Sequence, residues 1–383
     1  MALIIAEIGT AHEGKQDKAR ALIDAAARAG ADAVKFQWVY ADEILHPDTG
    51  TVALPTGQVR LYDRFKALEC GADFYAAMLE YAHSRKVQFG CSPFGLKSLS
   101  ELLAIKPDFV KIASPELNHY PLLTALADFR HSQQEQGLAA IPVIISSGIS
   151  RLSDIERALE ILGTDGVTLL HCITSYPAPE DEYNLRLIAA LHGIFGVATG
   201  VSDHSLDAVL VPSLCAAQGG TVIEKHITLS RKTSGLDDPI ALDEKDFALM
   251  CRAVKEAYTV IEELGGKHGK EEIIARMSGI YGTKKVLAVL GDGVKRLAPS
   301  EKQNYGRTNR SLHFTRALKA GEYVSPSDIA VLRTEKVLTP GISPEYARRI
   351  TGARLVRSVT NGEGVQWEDF IIKGNGCAVE NGI

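Results

Sequence analysis

The stretch GVSDHSLDAVLVPSLCAAQGGTVIEKHIT, residues 200–228, decides the fold. It reads as strand, helix, strand: a short alternating segment ending at His204, an amphipathic helix from about Leu206, and a β-branched run ending at His226. Side chains two apart on a strand share a face, so Ser202 goes with His204 and Glu224 with His226 at the ends of two adjacent parallel strands. Two imidazoles then converge on one point, and neutral imidazole is a common ligand for divalent transition ions. Two protein ligands leave coordination positions open for substrate and water. Taken singly, each histidine is most simply a satisfied structural residue; paired among Ser202, Asp203 and Glu224, they read as a site.

Working outward, the same rhythm recurs. Strands are predicted at residues 3–9, 34–39, 87–92, 109–114, 141–146 and 167–174, and helices at 15–30, 73–86, 96–106, 122–133, 152–162 and 185–194. Residues 200–228 supply the seventh and eighth strands, and 243–264 the closing helix. Eight strand-helix units in about 265 residues match a (β/α)8 TIM barrel. A doubly wound sheet stays open, because periodicity does not reveal closure. Residues 40–71 read as a long loop.

In such a barrel the floor is apolar and chemistry sits at the C-terminal strand ends. Taking every second residue back from each strand end gives Glu7, Lys35 with Gln37, Ser92, Lys111, Ser146, Thr174, Ser202 with His204, and Glu224 with His226. All eight strands contribute a polar group at the same end. Buried ionisable groups are costly unless paired or liganded, so this ring points to binding. An internal salt-bridge network, Glu7 and Glu224 against Lys35 and Lys111, is the structural alternative. Two lysines ringed by small hydroxyls suit a compact anion such as phosphate or a phosphorylated carboxylate. A metal beside it would polarise a carbonyl, with Glu7 or Glu116 moving protons.

The 383 residues are too many for one ordinary core and suggest one large domain plus a small one. A net charge of -5 gives no electrostatic reason for nucleic acid or an anionic membrane as partner, so an anionic substrate must meet local positive charge. The six cysteines, Cys70, Cys91, Cys172, Cys215, Cys251 and Cys377, show no framework spacing and fit reduced thiols in a cytoplasmic protein. The apolar start at residues 1–6 lacks a basic leader and reads as a first strand. No run approaches transmembrane length.

The motifs AEIGTAHEG (6–14), AVKFQW (33–38), FVKIASPELNHYPL (109–122), LLHCITSYPAP (169–179), GVSDHS and IEKHIT together resemble the sialic acid synthase family, which includes N-acetylneuraminate, legionaminate and pseudaminate synthases and spore-coat polysaccharide relatives. The resemblance runs in one order through nearly the whole chain. It implies a (β/α)8 barrel that condenses phosphoenolpyruvate with the open-chain aldehyde of an N-acetylated amino sugar, using manganese or magnesium. By the same resemblance, His204 and His226 match the metal ligands, and Lys35, Ser92, Lys111, Ser114, Ser146 and Ser202 the phosphoenolpyruvate contacts. Glu116 matches the carboxylate beside the reacting carbons, and Glu7, Tyr176 and Asp237 fall where the acceptor sugar is held. Ala11 stands for the usual Asn and Thr174 for an Asn or Ser after the HC motif, which implies a changed acceptor.

After Gly266 the character changes. One further helix is predicted at 283–290, closing a barrel domain at 1–292, and residues 293–308 read as a linker. The remainder, 309–383, holds a weak repeat, KAGEYVSPSDI (319–329) and TNGEGVQWEDF (360–370), as expected of a small β-rich domain with pseudo-twofold symmetry. It resembles the antifreeze-like (SAF) domain that ends the same family. That implies a swapped homodimer in which Arg333 reaches the sugar's N-acetyl group of the partner barrel; a solvated surface arginine is the alternative. His171 and Lys225 alternate outward, toward the helix layer, and His119 lies in the loop after the fourth strand, within reach of a ligand.

Overall fold

The computed structural model describes residues 2–371 apart from 55, 56, 234 and 336; Cys377 lies outside the described residues. Eight parallel strands close into a barrel: β1 (Leu3–Gly9), β2 (Ala33–Trp38), β3 (Gln88–Pro93), β4 (Phe109–Ile112), β5 (Val143–Ser146), β6 (Val167–Cys172), β7 (Ala198–Asp203) and β8 (Val222–His226). Each pairs with its chain neighbour, and β1 closes the ring against β8. The doubly wound alternative is thereby excluded.

Alternation along each strand divides the two layers. Along β1, Ile4, Ala6 and Ile8 face outward into the main core with the helices, while Leu3 and Ile5 face inward. The inward apolar set, Ile5, Ala33, Phe109, Ile144, Leu170 and Val222, forms the barrel floor. Gly90 makes room there, since a Cβ on it would lie 2.1 Å from the Phe109 ring.

Two segments carry more structure than their sequence suggests. The stretch read as a loop, 40–71, folds into helices Ala41–Ile44 and Leu61–Lys66 around a hairpin of Thr51–Leu54 and Gly57–Arg60. A helix at Gly266–Tyr281 precedes the expected one at Thr283–Leu290. Its buried positions are only Gly269, Ile273 and Met277, and its glycines depress helix propensity. Gly269 is required by a close crossing, since a Cβ would sit 2.4 Å from Ile261 Cα.

Beyond the barrel, strands β9 (Arg310–Phe314) and β10 (Ile329–Arg333) pair antiparallel. A separate core of Leu312, Phe314, Leu318, Val324, Ile350, Leu355, Val359 and Val365 supports them. The repeat seen in the sequence is structural. In each copy a valine (Val324, Val365) is buried and an aspartate takes the amide three residues before it: Asp328 that of Ser325 at 2.8 Å, Asp369 that of Gln366 at 2.7 Å.

Candidate active site

Directly above the apolar floor the inward positions turn polar, and the side chains meet. Lys35 Nζ lies 2.8 Å from Glu7 Oε2 and 3.8 Å from Glu224 Oε2, and donates to Ser92 Oγ at 3.1 Å. Lys111 Nζ donates to Ser146 Oγ at 2.6 Å and lies 3.9 Å from Glu224 Oε1. Ser202 Oγ donates to that same Glu224 oxygen at 2.9 Å, and Gln37 donates to Glu7 at 3.0 Å. Glu7, Lys35, Ser92, Lys111, Ser146, Ser202 and Glu224 therefore form one buried ring.

The internal ion network weighed from the sequence is present, and it is unevenly balanced. Burial raises the Glu7 carboxyl to about 7, against the pull of Lys35. Burial also opposes charge on Glu224, but Lys111 and Lys35 outweigh it and hold that carboxyl below its ordinary value. Burial pushes the Lys111 ammonium down, whereas Lys35 ends above its ordinary value because Glu224 and Glu7 overcome its burial. When Glu7 carries its proton, the ring sets two ammonium groups against one carboxylate, which favours an incoming anion.

One layer higher, the imidazole centroids of His204 and His226 are 5.6 Å apart. His204 Nδ1 lies 2.8 Å from the Ile173 carbonyl, so Nδ1 is the donor and Nε2 stays free. Burial lowers His204, but Cys172, with Sγ 3.8 Å from Nδ1, more than offsets this and raises it to about 9, so a cation at Nε2 competes with a proton. Burial, with His204 beside it, holds His226 well below the usual range, and it is neutral. Neither ring nitrogen of His226 makes a hydrogen bond among the described residues; Asp237 Oδ2 is 3.9 Å from Nδ1. Two imidazoles so placed fit a divalent ion that completes its shell with substrate and water. No cluster of three or more such ligands occurs among the described residues.

Two of the residues that the resemblance places at the acceptor, Tyr176 and Asp237, lie against this pair. Tyr176 stacks on His204 with centroids 4.3 Å apart. At Gly9, whose φ is 56°, a Cβ would lie 3.3 Å from Glu7 and 3.6 Å from Asp237, so the left-handed turn that ends β1 lets both carboxylates approach. Ser114 Oγ accepts the Gly148 amide at 3.0 Å, and Thr174 Oγ1 is buried without a hydrogen-bond partner among the described residues.

Glu116 and Arg333 stand apart from this ring. Glu116 is fully buried between two guanidinium groups. Arg333 Nη2 donates to its two oxygens at 2.8 and 2.9 Å, and Arg310 Nε donates at 3.1 Å. This carboxylate is engaged by two guanidinium groups, and Arg333 is hydrogen-bonded to it. Both arginines reach Glu116 of the same chain. Arg310 also donates to the carbonyls of Phe94 at 2.6 Å and Glu43 at 2.5 Å, joining loops after β2, β3 and β4. The sequence reading missed Arg310, whose only signal is its position opposite Arg333 across the β9–β10 pair.

Other residues take structural places. His119 caps the helix Tyr120–Glu135, accepting the Leu122 amide at 3.2 Å. His171 bonds the Tyr183 carbonyl in the outer layer, and Lys225 pairs there with Asp203 at 2.6 Å.

A closed parallel barrel with this polar mouth and a small appended β-domain defines a class that comparison with known proteins narrows. Residues 22–266 match the NeuB family and residues 309–371 the SAF domain. The chain belongs to the NeuB family and ends in a SAF domain. It is 31% identical over 376 residues to the spore coat polysaccharide biosynthesis protein SpsE of Bacillus subtilis, covering 97% of this chain and 94% of that protein. The crystal structure of that protein matches with a TM-score of 0.78, over 97% of this chain and 96% of the other. An N,N'-diacetyllegionaminic acid synthase of Legionella pneumophila is 28% identical over 95% of this chain and 93% of its own. The crystal structure of an N-acetylneuraminic acid synthetase from Leptospira borgpetersenii matches with a TM-score of 0.58 at 29% identity, over 79% of this chain and 90% of the other.

Proposed function

We propose that this chain condenses phosphoenolpyruvate with the open-chain aldehyde of an N-acetylated amino sugar, consuming one water molecule, forming a nine-carbon acid and releasing phosphate. The observation that carries this reading is the pair of buried lysines, Lys35 and Lys111, held by serines beneath His204 and His226. Lys35, Lys111, Ser92, Ser146 and Ser202 bind the phosphate and carboxylate of the donor, with Ser114 beside them. Each ammonium exchanges its loose contact with Glu224 for a ligand oxygen.

His204 and His226 would hold manganese or magnesium, which when bound supplies a Lewis acid for the aldehyde oxygen. Tyr176, Asp237, Gln37 and Thr174 orient the acceptor over the donor. Proton handling falls to Glu7, poised near neutrality at about 7. Glu116 is assigned to anchoring the SAF domain through Arg310 and Arg333.

The test is phosphate release from phosphoenolpyruvate with manganese and a panel of N-acetylmannosamine and 6-deoxy-diacetamido hexoses. Release that depends on one sugar and is lost in His226→Ala supports the synthase and identifies its acceptor. Binding of phosphoenolpyruvate with no release across the panel would favour a sugar-binding protein on the same scaffold.

A further inference from the structure

Lys295 and Glu301 of the segment joining the barrel to the SAF domain, with Asn309 at the start of that domain, converge on Ser147 and Ile149 just after β5. Lys295 Nζ donates to the Ser147 carbonyl at 2.9 Å, Glu301 Oε1 accepts the Ile149 amide at 2.6 Å, and Asn309 Nδ2 donates to the Ile149 carbonyl at 3.1 Å. The same Glu301 oxygen accepts the Thr174 amide at 2.7 Å, so one buried carboxylate joins the loops after β5 and β6. Its other oxygen accepts the Ala298 amide at 3.2 Å and fixes its own turn.

Ile149 explains why such a grip is needed. It is fully buried with φ of 41°, and a β-branched residue in that region is a backbone outlier that persists only when its surroundings over-determine it. Both of its backbone polar groups are held, the amide by Glu301 and the carbonyl by Asn309. With Ile149 in place, the Gly148 amide meets Ser114 Oγ at 3.0 Å, and Gly148 packs so tightly that a Cβ would lie 2.1 Å from Thr174 Oγ1. Ser146, two residues before Gly148, bonds Lys111. Ser114, Ser146 and Thr174, at or just beyond the ends of β4, β5 and β6, are thus fixed relative to one another.

The geometry points to Glu301, backed by Lys295 and Asn309, as a positioning clamp that sets the donor-binding side of the barrel mouth, an assignment that rests on the phosphoenolpyruvate site proposed above. Glu301 acts through the two loops. Bonds from amides to a carboxylate are charge-assisted, and one oxygen serving two amides leaves both loops dependent on a single atom.

Glu301→Ala and Glu301→Gln in the full chain separate this clamp from a general role in folding. Calorimetric titration with phosphoenolpyruvate reads donor affinity, and hydrogen exchange of peptides covering 146–150 and 173–175 reads the loops. In Glu301→Ala, exchange in those peptides rises roughly tenfold with the rest of the barrel unchanged, and donor affinity falls roughly tenfold. Glu301→Gln keeps an oxygen for both amides and stays within about threefold on both readouts. Unchanged exchange and affinity in Glu301→Ala overturns the clamp, as does a Gln variant as impaired as the Ala variant. If wild type fails to bind phosphoenolpyruvate, the substrate reading falls while the exchange result still decides the clamp. If Glu301→Ala does not fold, Glu301→Asp, one methylene short of both amides, takes its place with the same expected loosening.

Discussion

Strands β7 and β8 carry an ionic network on each face, and the two are built differently. On the outer face Lys225 Nζ has three partners: Asp203 Oδ2 at 2.6 Å, the Ser205 carbonyl at 2.7 Å and Ser205 Oγ at 3.3 Å. Asp203 also accepts from Tyr183 at 2.7 Å and from the Ser205 amide at 2.8 Å. Donors and acceptors are matched, and nothing remains to offer a ligand. On the inner face Glu224 stands 3.8 and 3.9 Å from its two lysines, and its Oε2 has no hydrogen bond among the described residues. Both networks exclude solvent, but only the inner one has unused bonding capacity. Buried polar groups are normally satisfied, so the shortfall marks a place where a ligand completes the set.

Lys225→Met gives the largest expected effect. It leaves the Asp203 carboxylate buried with no cation, and removing one partner of a buried pair costs about 3–5 kcal/mol. Urea unfolding should show that loss. A cost below about 1 kcal/mol would mean the outer pair is dispensable, and the contrast between the faces would collapse.

Glu7 supplies the next test, through pH. Its folded value is raised from the ordinary 4.5 to about 7. A raised carboxyl favours the folded state while protonated, so this contribution is complete below about 4.5 and is lost as pH rises through about 7. In protein kept metal-free with a chelator, wild type should therefore lose stability relative to Glu7→Gln between about pH 5 and 8, by at most about 3 kcal/mol. Parallel pH curves for the two proteins would mean that Glu7 is fully ionised at neutrality and that the inner ring is as well matched as the outer pair.

The inner and outer faces were legible in the sequence because one rule, alternation, governs both: Lys225 and His171 face outward by the same count that turns His226 and Ser202 inward. The barrel followed from eight such segments. What stayed hidden depends on contacts that alternation does not report. The clamping of Glu116 requires that Arg310 and Arg333 sit opposite each other across β9 and β10, and that this pair lie over the barrel mouth. Lys295 and Glu301 sit in a stretch containing Gly, Lys and Pro, which composition reads as a linker although Glu301 is buried and Lys295 half-buried against the loops after β5 and β6. The helix Gly266–Tyr281 buries too few apolar residues to register as amphipathic.

Lys111→Met carries the smallest expected change in stability and separates the two faces most sharply. Lys111 donates to Ser146 Oγ at 2.6 Å and to the Ile112 carbonyl at 3.2 Å, but its carboxylate partner is 3.9 Å away and burial already pushes its ammonium down. Methionine has nearly the same length and no charge to desolvate, so the burial that pushes the Lys111 ammonium down no longer opposes folding. Glu224 keeps its bond from Ser202 and its contact with Lys35. Stability should stay within about 1 kcal/mol of wild type, while the rise in melting temperature that phosphoenolpyruvate confers on wild type disappears, because stabilisation by a ligand follows its affinity. Lys225→Met and Lys111→Met each remove one buried ammonium from the same barrel, yet the first should weaken the fold and the second only the binding. Comparable destabilisation by both would make the inner ring architecture as well, and the unmatched Glu224 oxygen would no longer argue for a ligand.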